Sequence, residues 1–229
     1  MDLGPAYARA RVRHRGARLS AGGTLGERYA RHNLLRGRGF IFGGRGRVRA
    51  LRSAIGKPPP GRILDLGCRD GSLAKALSLP PHRTVGADID EEALRATRGL
   101  VRPCLADLWK PFPFRSESFD LVVAGEIVEH VPFPDAFFDE AQRVLRPGGR
   151  IVGSVPNAFR LKNRIAFASG RWFEADPTHL RQFSPHMLYE LLSLRFERVE
   201  IRPCVGRLSP LWPRMFGNDL VWAARKGGG

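Results

Sequence analysis

The 229-residue chain has few cysteines and no long apolar run. Its three cysteines, Cys68, Cys104 and Cys204, are widely separated, which excludes a disulfide framework and a Cys-x-x-Cys metal knuckle. No stretch approaches the roughly 18–20 apolar residues of a membrane-spanning helix, and no signal peptide is evident. We therefore expect a cytoplasmic protein, at most peripheral to a membrane.

Positive charge is concentrated in the first 52 residues. They contain 13 arginines but only two acidic residues, Asp2 and Glu27, and so carry +11 of the net charge of +16. Such a segment can bind the phosphates of RNA or of an anionic membrane surface, or it can be a solvated approach segment without a partner. Aromatic residues are few here, so a base-stacking platform is not evident.

Three consecutive prolines indicate a domain boundary. The sequence Lys57-Pro58-Pro59-Pro60-Gly61 cannot be helical through its prolines. We expect a basic, Arg/Gly-rich extension over residues 1–56 and a folded domain over residues 57–229. With 43% hydrophobic and 26% charged residues, the chain has the composition of a globular protein that can bury a core.

The folded domain shows a regular alternation of strand and helix patterns. Strands are predicted over residues 63–66, 84–87, 101–106, 119–124, 151–155, 196–201 and 220–224. Helices are predicted over residues 73–77, 91–98, 136–145 and 185–194, and Pro147-Gly148-Gly149 is predicted to be a turn. This alternation is typical of an α/β protein with a parallel sheet covered by helices on both faces.

An irregular segment, residues 156–183, interrupts the alternation. Its notable polar and aromatic residues are Asn157, Arg160, Asn163, Arg164, Trp172, Asp176 and His179. Loops at the carboxyl ends of parallel strands line ligand crevices, so we expect this segment to form the substrate side of a site. The alternative is a solvated insertion without a ligand.

Polar residues end three successive predicted strands. The first strand ends in a glycine turn that runs from Asp65 to Gly71, the second ends at Asp88 and the third at Asp107. Glycine lets a ligand lie against bare backbone, and a carboxylate at the end of the next strand can bind both hydroxyls of a ribose. Each aspartate alone is more often a turn former, but three in sequence predict a nucleoside site.

These segments resemble the class I S-adenosylmethionine-dependent methyltransferases, nearest to the ubiquinone-biosynthesis O-methyltransferase and type 11 group. The resemblance lies in residues 65–71, 86–90, 106–108, 119–123, 145–149 and 220–224. It implies a Rossmann-like, seven-stranded, mostly parallel sheet with an antiparallel last strand. It also implies that S-adenosylmethionine binds at Asp65, Gly67, Cys68, Arg69, Gly71, Asp88, Ile89, Asp107, Leu108 and Glu126.

The resemblance assigns a part of this cofactor to several residues. Gly67 and Gly71 would admit the methionine part, and Asp88 would hold the ribose. Asp107 would meet the adenine, with Ile89 and Leu108 packed on its faces.

Arg69 departs from the pattern of this family, which has glycine at that position. Its side chain can turn away from the cofactor, or its guanidinium can pair with the methionine carboxylate. A third alternative is a degraded site in a protein that binds nothing.

The segment after the fourth strand carries three residues with ligand chemistry. Glu126, Glu129 and His130 can converge on a divalent cation such as Mg²⁺ or on a reacting hydroxyl. This Glu-x-x-Glu-His pattern resembles the ubiquinone-biosynthesis O-methyltransferases, in which these residues bind a metal near the acceptor phenol. Without a metal, Glu126 would hold the methionine amine and His130 would align the acceptor or fill a helix interface.

His179, in the irregular segment, is a candidate general base for an acceptor hydroxyl, because a neutral imidazole can take its proton. A structural histidine that holds the segment together is the alternative. These residues favour a methyltransferase that acts on a hydroxyl of a small molecule: a phenol, a quinone precursor or a sugar. The alternatives are an RNA methyltransferase, suggested by the basic extension, and a non-catalytic S-adenosylmethionine-binding or scaffold protein, suggested by Arg69.

Overall fold

A computed structural model describes residues 27, 29, 44–172, 176, 178–206 and 208–228. Most of the arginine-rich segment 1–52, and with it the predicted phosphate contacts, lies outside the described residues. Within the described part of the chain, no helix is long and apolar enough to cross a membrane.

Seven strands form one sheet in the order β3-β2-β1-β4-β5-β7-β6. Their bounds are β1 Ile63–Leu66, β2 Thr84–Asp88, β3 Arg102–Leu105, β4 Phe119–Gly125, β5 Leu145–Pro156, β6 Glu197–Cys204 and β7 Asp219–Arg225. Strands β1 to β5 pair in parallel, and β7 runs antiparallel to both of its neighbours. The predicted fold class is confirmed, and the carboxyl ends of β1, β2, β4 and β5 share one edge.

Helices cover both faces of this sheet. Their bounds are α1 Gly44–Ile55, α2 Ser72–Ala76, α3 Glu91–Arg95, α4 Pro134–Val144, α5 Leu161–Ala168, α6 Pro185–Ser193 and α7 Pro213–Phe216, with 3₁₀ turns at Pro81–Arg83 and Val128–His130. The predicted start of α6 is confirmed, because the Ser184 side chain accepts a hydrogen bond from the backbone N–H of Met187. Helix α3 is three residues shorter than predicted.

The predicted turn at residues 147–149 was wrong. Strand β5 runs through it, and Leu145 pairs with Phe119 before the register shifts. Gly148 takes a φ of 72°, and its N–H donates to the carbonyl of Lys226 at 3.1 Å. Because glycine tolerates this left-handed conformation, the chain absorbs the extra residues as an irregularity within the strand.

The segment 156–183 contains helix α5 and is therefore more regular than predicted. It is tied to the sheet edge by a bridge between Asn157 and Phe183.

Two apolar clusters fill the two sides of the sheet. One joins α4 and α6 to the sheet, and it contains Phe137, Phe138 and Trp222. The other lies beneath α1, where Leu51 and Ile55 pack with strand residues such as Val123. Helix α1, which belongs to the predicted basic extension, thus covers one face of the sheet.

Candidate active site

The turn after β1 has three residues in the left-handed backbone region. Gly67 and Gly71 take φ values of 71° and 75°, and Arg69 between them takes 50°. A non-glycine residue in this region costs roughly 1–2 kcal/mol, which indicates that the surrounding structure imposes the turn. Arg69 therefore keeps the backbone shape for which glycine is favoured.

Asp88 ties the end of β2 to this turn. Its carboxylate accepts the backbone N–H of Arg69 at 2.7 Å and that of Asp90 at 2.9 Å. Burial raises the pKa of Asp88, and these hydrogen bonds oppose the rise. Because a carboxylate has about four acceptor positions, each oxygen can accept a further hydrogen bond from a ligand hydroxyl.

Asp65 is fully buried at the third residue of β1. Neither of its carboxylate oxygens has a hydrogen-bond partner among the described residues. Burial, and secondarily the charge of Asp88, raises the pKa of Asp65 to about 7. A buried carboxylate without a donor beside a glycine turn fits a ligand that supplies a cation or N–H groups.

Asp65→Asn should show a pH-dependent stabilisation. Between pH 4 and 7 the unfolded chain gives up a proton that folded Asp65 retains, so the wild type loses stability as the pH rises. Urea unfolding at pH 4 and pH 8 should therefore favour the variant at the higher pH, by up to about 4 kcal/mol. An equal effect at both pH values would contradict the buried, unpaired state of Asp65.

The predicted adenine-binding residues follow β2 and β3. Asp107 accepts the backbone N–H of Trp109 at 3.0 Å and lies 3.5 Å from the Nζ of Lys110. Ile89 is half-buried, whereas Leu108 is buried within the core. The structure therefore leaves Ile89 more accessible than Leu108.

Glu126 follows β4 and pairs with α1 rather than with the other predicted metal ligands. Its Oε2 lies 2.7 Å from the Nη1 of Arg47, and the side chains of Arg47 and Glu126 are only 4% and 11% exposed. Its backbone φ of 56° is again left-handed, and its N–H donates to the carbonyl of Ser154 at 2.9 Å. Glu126 is thus directed toward α1.

Glu129, His130 and His179 form a separate buried cluster. One potential ligand atom from each lies within 4.8 Å of the others. His130 Nδ1 is 3.0 Å from the carbonyl of Thr178, and its ring meets that of His179 edge-on at 4.8 Å. The structure thus joins two residues of the predicted trio to the predicted base His179.

The carboxylate of Glu129 has few polar contacts in this cluster. Its oxygens have no hydrogen-bond partner among the described residues, and its Oε1 lies 4.0 Å from the Nε2 of His179. The same Nε2 lies 3.7 Å from Asp176. Burial, and then the charge of Glu126, raises the pKa of Glu129 well above its usual range.

Sequence reasoning missed the part of the site that α1 contributes. Arg47 lowers the pKa values of Glu129 and Asp219, although burial dominates and leaves the pKa of Asp219 at about 7. The helical spacing of Val48, Leu51 and Ile55 after Arg47 is the signal that could have shown a packed helix here. Nothing in the sequence singles out Asp219.

Residues 64–153, from β1 into β5, match a protein family described as a methyltransferase domain. This stretch of the chain is similar to a methyltransferase domain. This confirms the resemblance seen in the sequence.

Several similar proteins are named as methyltransferases, and some of these names include the methyl donor S-adenosylmethionine. A protein of Mycolicibacterium smegmatis named "Probable S-adenosylmethionine-dependent methyltransferase" is 33% identical over 144 residues, which is 60% of this chain and 52% of the relative. A ubiquinone biosynthesis O-methyltransferase of Roseobacter denitrificans is 30% identical over 142 residues, 57% of each chain. The chain thus spans about half the length of the curated relatives it matches.

Solved structures support the fold. The domain is similar to a SAM dependent methyltransferase from Archaeoglobus fulgidus, with a TM-score of 0.61, 21% identity, and coverage of 78% of this chain and 92% of that one. Identity at this level supports a shared fold, not a shared substrate.

Proposed function

We propose that the protein is an S-adenosylmethionine-dependent methyltransferase that methylates a hydroxyl group of a small molecule. The observation that carries the proposal is the position of the Glu129–His130–His179 cluster. Glu129 and His130 of this cluster follow β4, and β4 lies beside β1 with its glycine turn. Donor-binding and acceptor-binding groups therefore share one edge of the sheet.

The residues around the glycine turn fit the methyl donor. Asp88 has acceptor positions for ribose hydroxyls, and the buried carboxylate of Asp65 lacks a donor among the described residues. When bound, S-adenosylmethionine supplies an activated methyl group on a sulfonium. The chain then needs to hold donor and acceptor in line and to exclude water.

His179 is proposed to take the proton of the acceptor hydroxyl. The carboxylate of Asp176 lies 3.7 Å from its Nε2, where it would balance the charge of the ring after the ring accepts a proton. His130 is positioned by the contact of its Nδ1 with the carbonyl of Thr178. With Nδ1 as the donor, the other ring nitrogen of His130 is an acceptor, so His130 is the alternative base for that single proton.

The cluster also has the donor chemistry of a divalent metal site. One carboxylate and two imidazoles suit several first-row divalent cations, and the oxygens of Glu129 have no hydrogen-bond partner among the described residues. A cation held by Glu129, His130 and His179 would lower the pKa of the acceptor hydroxyl. Turnover after chelation, followed by addition of magnesium or manganese, tests this: loss and recovery indicate a metal enzyme.

Calorimetry with S-adenosylmethionine and a turnover screen over phenols, quinone precursors, sugars and RNA test the proposed function. Binding with turnover on a small hydroxyl compound supports it. Turnover on RNA alone would favour the RNA methyltransferase, and binding without turnover would favour a non-catalytic protein.

His179→Ala should lower kcat on the order of 10²-fold with little change in donor affinity, because a general base contributes at least that much to proton transfer. His186→Ala is the matched control, since His186 is exposed on α6, where its Nε2 lies 3.4 Å from Glu190. The pH dependence of kcat checks the role. Unchanged kcat in His179→Ala would make His179 a structural residue.

A further inference from the structure

We infer that the protein docks on anionic lipid membranes through a surface built by α5, the residues that follow it, and the segment 208–216. This surface, called the basic apolar surface below, is defined by five exposed apolar residues: Ile165, Phe167, Trp172, Leu211 and Trp212. The inference stands independently of the proposed acceptor.

Helix α5 has an inverted pattern of burial. Its one buried residue is the polar Asn163, which donates to the carbonyl of Ala158 at 3.0 Å. Ile165 and Phe167, by contrast, are 59% and 67% exposed. A helix of a water-facing protein normally turns its apolar residues to the core, so this helix presents an apolar surface that the described part of the chain leaves uncovered.

The segment 208–216 adjoins α5 and extends the same kind of surface. Helix α7 packs against α5, and the side chain of Arg160 hydrogen-bonds to Asn218. In this segment Leu211 is 79% and Trp212 58% exposed. Trp172, four residues beyond the end of α5, is 70% exposed. Large aromatic side chains with a polar ring atom suit the interface of a membrane with water.

The charge of these two segments is of one sign. Residues 159–172 contain four basic residues and residues 208–216 contain one, while neither segment contains an aspartate or glutamate. The exposed basic residues are Lys162, Arg164, Arg171 and Arg214. Basic residues interleaved with exposed aromatic and aliphatic ones are typical of surfaces that bind anionic lipids.

The same charge argues against other occupants. A second copy of the basic apolar surface would bring like charges face to face in a symmetric dimer. RNA would satisfy the arginines and could stack on Trp172 or Trp212, but it would leave Ile165 and Leu211 in water because they have no aromatic face. Only a lipid surface offers phosphates and hydrocarbon together.

Cosedimentation of the full-length chain with vesicles tests the inference. We expect binding to vesicles of phosphatidylglycerol and phosphatidylcholine, and weak binding to phosphatidylcholine alone. The variant Phe167→Ser/Trp212→Ser should reduce binding at least 10-fold, because it removes the side chains that enter the interface. The variant Lys162→Gln/Arg171→Gln/Arg214→Gln should reduce it on the order of 100-fold, at about 5-fold per basic residue.

Matched control residues lie outside the two segments that form the basic apolar surface. Leu105→Ser/Leu194→Ser removes exposed leucines elsewhere, and Arg98→Gln/Arg102→Gln/Arg115→Gln removes three other exposed arginines. Both should bind vesicles as the wild type does. Wild-type binding in the two test variants, or equal losses in the controls, would overturn the inference, because binding would then reside in the arginine-rich segment 1–52 or in general charge.

Two other results would also overturn it. One is the absence of cosedimentation with anionic vesicles at low salt. The other is a dimer in sedimentation velocity that Phe167→Ser/Trp212→Ser converts to a monomer, since the surface would then be an interface between copies of the chain.

Discussion

Asp88→Asn is expected to weaken the binding of S-adenosylmethionine by about 10-fold to 150-fold, as the loss of a hydrogen bond to a charged group costs about 1.5–3 kcal/mol. The carboxylate of Asp88 already holds the backbone N–H groups of Arg69 and Asp90. The asparagine side chain keeps one acceptor oxygen and replaces the other with a donor. It therefore disturbs both the proposed ribose contact and the shape of the glycine turn.

The measurement is calorimetric titration of the folded variant with S-adenosylmethionine. Asp120→Asn is the matched control, because Asp120 is a strand carboxylate that also accepts a backbone N–H, that of Arg62 at 2.7 Å. It lies at the start of β4, at the opposite edge of the sheet from the glycine turn. An affinity in Asp88→Asn equal to that of the control would remove Asp88 from the proposed donor site.

Asp88→Asn can weaken S-adenosylmethionine binding in two ways, by distorting the glycine turn or by removing the ribose contact. The free energy of unfolding distinguishes these two causes. A turn effect should lower the stability of Asp88→Asn in the absence of ligand, because the N–H of Arg69 or of Asp90 loses its acceptor. A direct ribose effect should also discriminate between ligands. S-adenosylhomocysteine carries the same ribose and should lose the same factor, whereas methionine should not.

The residues proposed to bind the donor could be located from sequence because they lie at or near strand ends. Asp65, Asp88 and the glycines of the turn lie within 24 residues of one another, and the parallel sheet brings neighbouring strand ends together. The resemblance to a known family named the same residues. Strands β1, β2 and β3 follow one another in the chain and are neighbours in the sheet. The sequence separation of these residues was therefore enough to predict that they lie near one another.

The other side could not be predicted so fully, because its contacts join distant parts of the chain. Arg47 and Glu126 are 79 positions apart, and no local pattern relates a residue of α1 to the end of β4. Sequence reasoning assigned the arginines of the first 52 residues to phosphate partners, yet Arg47 is buried against a carboxylate. The irregularity at residues 147–149 was missed for a similar reason, since its N–H partner is the carbonyl of Lys226.

The buried pair of Arg47 and Glu126 gives the largest expected change in stability. Removing one partner of a buried ion pair typically costs about 3–5 kcal/mol, because the remaining charge stays buried without its counterion. Arg47→Met should therefore lower the unfolding free energy by about that amount. The exposed Arg49 of the same helix supplies the control, and Arg49→Met should change stability by less than about 1 kcal/mol.

The loss in Arg47→Met should depend on pH. Arg47 lowers the pKa values of Asp219 and Glu129, and without it both should titrate higher than in the wild type. Protonation of these buried carboxylates then costs less free energy at pH 5 than at pH 8. The destabilisation is consequently expected to be greater at pH 8, because the folded variant must either keep buried charges or take up protons from a dilute solution.

A double variant distinguishes the ion pair from the packing of the arginine side chain. Arg47→Met/Glu126→Gln removes both charges while keeping side chains of similar length, so most of the lost stability should return in urea unfolding at pH 8. If the double variant is as unstable as Arg47→Met, the loss comes from packing or from other partners of Arg47, and Glu126 is not its main counterion. If stability returns, Glu126 anchors α1 over the end of β4, and the helix is part of the framework of the proposed active site.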